Sequence, residues 1–176
     1  TCALPILAAI NLNIFNNHCD TVCMANIAQM VNVLQAMILT EGSKMVLTPT
    51  YHVFALYAAH QGAQQLESYA ETSILRHDEE AVPTLHVSAS RAADGKILVT
   101  VANLDASHPA EAQVLLGGVK AAAVNGTVLC GTADARNTFT APDAVQPKAL
   151  PAVLTAEGFT AALPACSVAA FTVTPQ

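Results

Sequence analysis

Charge is scarce in this chain. Of 176 residues only seven are Lys or Arg and thirteen Asp or Glu, 11% in all and −6 net, against 53% hydrophobic residues. Ordinary soluble domains carry about 25% charged residues. The low charge and high apolar fraction exclude intrinsic disorder, which has the opposite balance. So few basic residues exclude a nucleic-acid surface, which requires clustered Lys and Arg. Eight Gly and nine Pro exclude collagen-like or proline-rich architecture. The length fits one domain or two small ones and falls short of the ~250 residues of a complete (β/α)8 barrel.

Cysteine is present in an uninformative pattern. Cys2, Cys19, Cys23, Cys130 and Cys166 are odd in number and form no CxxC pair, so neither a full disulfide framework nor a zinc ribbon is expected. Cys19 and Cys23 could share a helix face, but no second ligand pair accompanies them. All five read as buried or free thiols, which suits a reducing compartment. Two uncharged stretches, Thr1 to Cys19 and Thr21 to Thr40, approach the ~20 residues of a membrane span. Asn11, Asn13, Asn16, Asn17 and His18 in the first, and Asn26, Gln29, Asn32 and Gln35 in the second, would be costly in hydrocarbon. These amides read instead as parts of a protein interior with hydrogen-bond partners. No signal peptide is expected either, since a basic n-region and a cleavage site are lacking.

What is there divides into an apolar α/β piece and a β-rich piece. Leu4, Leu7, Ala8, Leu12 and Phe15 recur at helical spacing and end in the turn-like Asn16-Asn17-His18. Val22 to Gln29 is almost continuously apolar and reads as a strand buried on both faces. Leu39 to Lys44 reads as a loop. Thr48-Pro49 reads as an N-cap and first helical proline, opening a helix with Val53, Phe54, Leu56 and Tyr57 that stops at Gly62.

From about Leu66 the pattern changes. The charged cluster Arg76 to Glu80 is expected to be solvated. Leu85, Val87 and Ala89 alternate with His86, Ser88 and Ser90, and after the turn Ala93-Asp94-Gly95 the alternation returns at Ile97, Val99 and Val101, predicting a hairpin. Asn125-Gly126 predicts a second hairpin turn, and Gly117-Gly118 a turn. Gly158–Leu163 and Ser167–Val173 supply two further strands around Pro164. The whole predicts an antiparallel β-sandwich.

Chemistry is sparse. Glycosidases need two carboxyl groups flanking the scissile bond, yet the α/β piece has only Asp20 and Glu41, read as capping or solvated. The histidines His18, His52, His60, His77, His86 and His108 are scattered. His52 and His60 lie about two helical turns apart, but no HExxH pattern appears and no metal site is expected. GxSxG, P-loop and GxGxxG motifs are absent. Asn125-Gly126-Thr127 matches a glycosylation acceptor that the hairpin reading already explains. There remains the amide row Asn26, Gln29, Asn32 and Gln35. An amide donates and accepts at once, which suits a sugar hydroxyl, and Gln29 stands where a barrel strand would end, at the face where barrels bind substrate. Spacing alone favours a buried glutamine satisfied by backbone.

The runs Asn11-Leu-Asn-Ile-Phe-Asn-Asn-His18, Met24 to Thr40 and Leu47-Thr-Pro-Thr-Tyr-His-Val-Phe54 closely resemble the α-L-arabinofuranosidases of glycoside hydrolase family 51. Val101-Ala-Asn-Leu-Asp105, Asn137-Thr-Phe139 with Pro142-Asp143, and Leu163 to Val168 resemble that family's C-terminal domain more loosely. The resemblance implies the end of a (β/α)8 catalytic barrel over residues 1–65 (seventh helix, eighth strand, eighth helix) and a jelly-roll-like antiparallel β-sandwich over residues 66–176. It implies an intracellular, cytoplasmic, exo-acting and retaining enzyme that releases terminal arabinofuranosyl residues from arabinoxylan or arabinan oligosaccharides. The two catalytic glutamates are expected upstream of Thr1, so the chain alone is expected to be inactive. Gln29 matches the glutamine that hydrogen-bonds the arabinofuranose ring, with Asn26 and Asn32 supporting the strand end. Cys23 and Thr21 stand where basic residues are expected. The implied partner is an arabinofuranosyl oligosaccharide, with no cofactor, nucleic acid or membrane, in a homo-oligomer.

Other readings are a family 51 endoglucanase-type enzyme, a non-catalytic carbohydrate-associated sandwich, and an interaction fragment. Tryptophan is absent and Tyr51, Tyr57 and Tyr69 all lie outside the predicted sandwich strands, which leaves a sugar-binding sandwich without an aromatic platform.

Overall fold

The computed structural model describes residues 3–34, 36–132 and 134–176, with side chains from Pro5 onward. Cys2 and Gln35 therefore lie outside the described residues. The elements in chain order are helix α1 (Ala3–Asn17), the hairpin β1 (Ile38–Glu41) and β2 (Lys44–Leu47), helix α2 (Pro49–Tyr57) with a 3-10 turn (Ala58–His60), then β3 (Gln64–Leu66), β4 (Ile74–His77), β5 (Glu80–Pro83), β6 (Leu85–Arg91), β7 (Ile97–Asn103), β8 (Ala110–Leu115), β9 (Ala121–Cys130), β10 (Lys148–Leu150), β11 (Val153–Leu154), β12 (Gly158–Leu163) and β13 (Ser167–Pro175).

A six-stranded sheet in the order β10-β9-β13-β7-β6-β3 faces a three-stranded sheet in the order β11-β12-β8, with every strand pair antiparallel. Ile97, Val99 and Val101 of β7 and Ala169, Phe171 and Val173 of β13 point inward and meet Phe159, Ala161 and Leu163 of β12. Phe159 and Phe171 join the two sheets, their ring centroids 4.8 Å apart. The boundary expected between residues 65 and 66 falls inside β3, which pairs with β6 at the sheet edge.

The helices make a third layer. Ile6 and Ala9 of α1 and Val53 and Tyr57 of α2 pack on the outer face of the six-stranded sheet, over Ala102, Leu129 and Val168. All seven residues of β7 are consequently buried, although it is an antiparallel strand.

Local signals placed both helices, the β6–β7 hairpin and the last two strands. Thr48 caps α2 by accepting a hydrogen bond from the Tyr51 amide, and Pro49 follows at its start. The hairpin of β6 and β7 pairs Arg91 with Ile97 around Gly95, whose φ is +84°. Gly117 and Gly118 both adopt positive φ in their turn. The charged cluster Arg76 to Glu80 is exposed around the turn between β4 and β5. Asn103 ends β7 by donating to the Pro164 carbonyl at 2.9 Å and to that of His108 at 3.2 Å, which gives the Val101 to Asp105 motif a structural task.

Three expectations are corrected. Val22 to Gln29 forms no strand, and Cys23, Met24, Asn26, Ala28 and Gln29 are exposed. A doubly buried strand is held by hydrogen bonds to neighbours on both edges, and no strand among the described residues runs beside this one. Leu39 to Lys44 is the hairpin of β1 and β2 rather than a loop, closed by Gly42-Ser43 with Glu41 opposite Lys44. Asn125-Gly126 is not a turn but the middle of β9. Gly126 is there because a Cβ would lie 2.5 Å from the Leu150 carbonyl oxygen and 2.9 Å from the Phe171 ring.

Candidate functional site

The segment that carries the amides is built outward from Gln29. The Ala28–Gln29 peptide is cis, and Gln29 is exposed, not buried among backbone groups as spacing alone favoured. Asn26 is exposed too. Beyond Gln29 the chain is fixed to β1. The Ile38 amide donates to the Met30 carbonyl and the Asn32 amide to the Ile38 carbonyl, each at 3.1 Å, so Val31 runs parallel to Ile38.

Asn32 completes this attachment. Its φ of +58° is a left-handed conformation that asparagine tolerates better than most residues. Its Nδ2 donates to Thr40 Oγ1 at 2.8 Å, and its Oδ1 accepts from the Thr40 amide at 2.7 Å. The Thr48 amide donates to the Met37 carbonyl at 2.9 Å, and Thr48 Oγ1 donates to that of Ala36 at the same distance, which joins the segment to the start of α2. Asn137 Nδ2 then donates to the Leu47 carbonyl at 2.8 Å and to that of Val145 at 2.9 Å. Asn137 is buried, so the hairpin is anchored on the sandwich. Neither Thr40 nor Asn137 was picked out as a site residue by sequence reasoning. The Asn137-Thr-Phe139 motif was the available signal for the second.

A second polar cluster lies under the helices. Asn13, fully buried on α1, accepts at Oδ1 from Tyr57 (2.9 Å), Ser88 (2.8 Å) and Thr100 (2.9 Å), and donates to the His86 carbonyl. His60 bridges Ser90 at Nδ1 (2.7 Å) and Thr100 at Nε2 (3.2 Å). Burial holds the His60 pKa down at about 4. Burial raises that of Tyr57, and lowers that of His86. His52 is lowered by burial, against the opposing pull of Asp143. His52 and His60 thus have different neighbours and share no ligand set. Among the described residues no group of three His, Cys, Asp or Glu could hold a metal. A hollow of about 220 Å³ beside α2 is lined by His60, Thr100, Asn125 and Thr172, away from Gln29.

Asp20, in the turn after α1, and Glu41, at the end of β1, are both exposed. Cys19 and Cys23 are exposed free thiols, while Cys130 and Cys166 lie in the sandwich. No described helix is long and apolar enough to cross a membrane.

With this geometry in view, the α-L-arabinofuranosidase C-terminal domain model matches residues 3–167. The chain belongs to that family. It is 40% identical over 144 residues to an intracellular exo-α-L-arabinofuranosidase of Bacteroides ovatus, covering 80% of this chain and 28% of that protein. The crystal structure of the family 51 arabinofuranosidase from Xanthomonas axonopodis pv. citri superposes on 97% of the chain with a TM-score of 0.92 and 45% identity, over 35% of its own length. A family 51 α-L-arabinofuranosidase from Bifidobacterium longum covers 99% of the chain with a TM-score of 0.89 and 26% identity, again over 35% of its length. The chain thus spans about a third of the length of these relatives.

Proposed function

We propose that the chain is the C-terminal part of a retaining, exo-acting α-L-arabinofuranosidase that removes terminal arabinofuranosyl residues from arabinoxylan or arabinan oligosaccharides in the cytoplasm. The observation that carries this reading is the 45% identity and TM-score of 0.92 to a family 51 arabinofuranosidase across 97% of the chain. In this reading residues 1–65 close a catalytic barrel and residues 66–176 form its companion sandwich, in a protein that assembles as a homo-oligomer. The uncovered apolar side chains of Leu7, Ile14, Met24, Met30, Val31 and Leu34 support an amino-terminal piece that is covered by further protein.

Gln29 is the residue of this chain that touches substrate. Its amide donates and accepts simultaneously, as a ring hydroxyl of arabinofuranose does. Asn26 and Asn32 hold the backbone around it. The nucleophile and the acid/base, two carboxyl groups about 5–5.5 Å apart in a retaining enzyme, come from elsewhere in the protein. Asp20 and Glu41 are solvated and take no part. The test is Gln29→Ala in the whole protein, assayed on 4-nitrophenyl α-L-arabinofuranoside. A loss of about tenfold or more in kcat/KM is expected for a hydrogen bond that strengthens in the transition state. An unchanged kcat/KM would remove Gln29 from the substrate site.

A further inference from the structure

Gln29 lies in the segment between α1 and the hairpin of β1 and β2. Residues 22–27 form no regular element, and the residues around Gln29 are open to solvent. On its carboxy-terminal side the chain is fixed within three residues. Two backbone hydrogen bonds tie Met30 and Asn32 to Ile38, and two more join the Asn32 amide group to Thr40. Thr40 meets both ends of that amide: its N–H donates to the oxygen and its hydroxyl accepts from the nitrogen. The amide therefore has one orientation, and the left-handed backbone at Asn32 that turns the chain back toward β1 is stabilised with it. β1 pairs with β2, and the buried Asn137 secures the end of β2 on the sandwich.

We propose that Thr40 is a positioning residue for Gln29, acting through Asn32: the hairpin of β1 and β2 transmits the rigidity of the sandwich to the sugar-contacting amide. This rests on the reading of Gln29 as a substrate contact. Displacements of about 1 Å in a positioning element are enough to cost up to a hundredfold in rate.

The test is a mutant cycle in the whole protein with 4-nitrophenyl α-L-arabinofuranoside, read as kcat/KM beside the thermal midpoint. Asn32→Gly removes the amide group while accommodating the positive φ. Thr40→Val removes only the hydroxyl and keeps the strand and its backbone donor. Asn32→Asp is the rescue, since a carboxylate accepts from both the Thr40 N–H and its hydroxyl. Asn32→Gly and Thr40→Val are expected to lower kcat/KM by about three- to tenfold, and Asn32→Asp by less than about twofold. In a Gln29→Ala background neither substitution should lower it further, because residues acting through one another are not additive. Where Asn32→Gly lowers the thermal midpoint, Thr40→Val decides. Undiminished kcat/KM in Thr40→Val, or an equal loss with and without Gln29, would overturn the positioning role while leaving Gln29 in place. A Gln29→Ala variant as active as the parent would overturn the reading of Gln29 itself, and this role with it.

Discussion

At the scale of single residues, the polar cluster under the helices makes the protein's stability depend on pH. His60 has a folded-state pKa of about 4 because burial disfavours the imidazolium. The unfolded chain takes up that proton near the ordinary value of 6.5, so stability is present above pH 6.5 and is lost as pH falls toward 4. His52 and His86, also lowered by burial, act in the same direction. The thermal midpoint should therefore drop between pH 6.5 and 4, and His60→Gln should flatten that slope; equal slopes would exclude His60 as a source. Asn13 is the acceptor shared by Tyr57, Ser88 and Thr100, and its loss leaves buried hydroxyls short of a partner. Asn13→Ala should cost about 1–3 kcal/mol in chemical denaturation. In the sandwich, a Cβ at Gly158 would lie 1.9 Å from the Val114 carbonyl oxygen, a clash with backbone that cannot rotate away. Gly158→Ala should destabilise by at least the ~1–3 kcal/mol of ordinary overpacking, read as a lower midpoint in chemical denaturation.

At the scale of elements, what was legible in the sequence was whatever carried its own local signal. α2 announced itself through Thr48 and Pro49, and β6 and β7 through alternation around a glycine turn. The elements that escaped depend on distant chain. Asn125-Gly126 has the composition of a turn, but Gly126 is fixed by Leu150 and Phe171, which are remote in sequence. The four-residue strands β1 and β2 have no alternation to read, and their hairpin is tied to Asn32 and Asn137. Val22 to Gln29 has the composition of a doubly buried strand, and among the described residues no strand runs beside it to make it one. The candidate site was legible only in outline. Amide chemistry marked the row around Gln29, family resemblance chose among its members, and Thr40 could not be seen without the fold. The junction of the two sheets is the element whose loss should be felt most. Phe159→Ala removes a fully buried ring that spans from β12 to Phe171, and about 3–5 kcal/mol of stability should go with it.

At the scale of the whole molecule, scarcity of charge has a structural meaning. The inner faces of both sheets are apolar, β7 is buried on both sides, and the helices cover the outer face of the larger sheet. Residues 5–34 nevertheless leave large apolar side chains uncovered, Leu34 completely so. A chain of this family spanning about a third of its relatives' length, with Asp20 and Glu41 solvated, accounts for both facts if the rest of a barrel covers that surface and supplies the carboxylates. The most direct measurement is hydrolysis of 4-nitrophenyl α-L-arabinofuranoside by the whole protein and by the 176-residue chain side by side. The account predicts release of 4-nitrophenol by the whole protein and none by the chain alone. Release by the chain, or none by the whole protein, would contradict it.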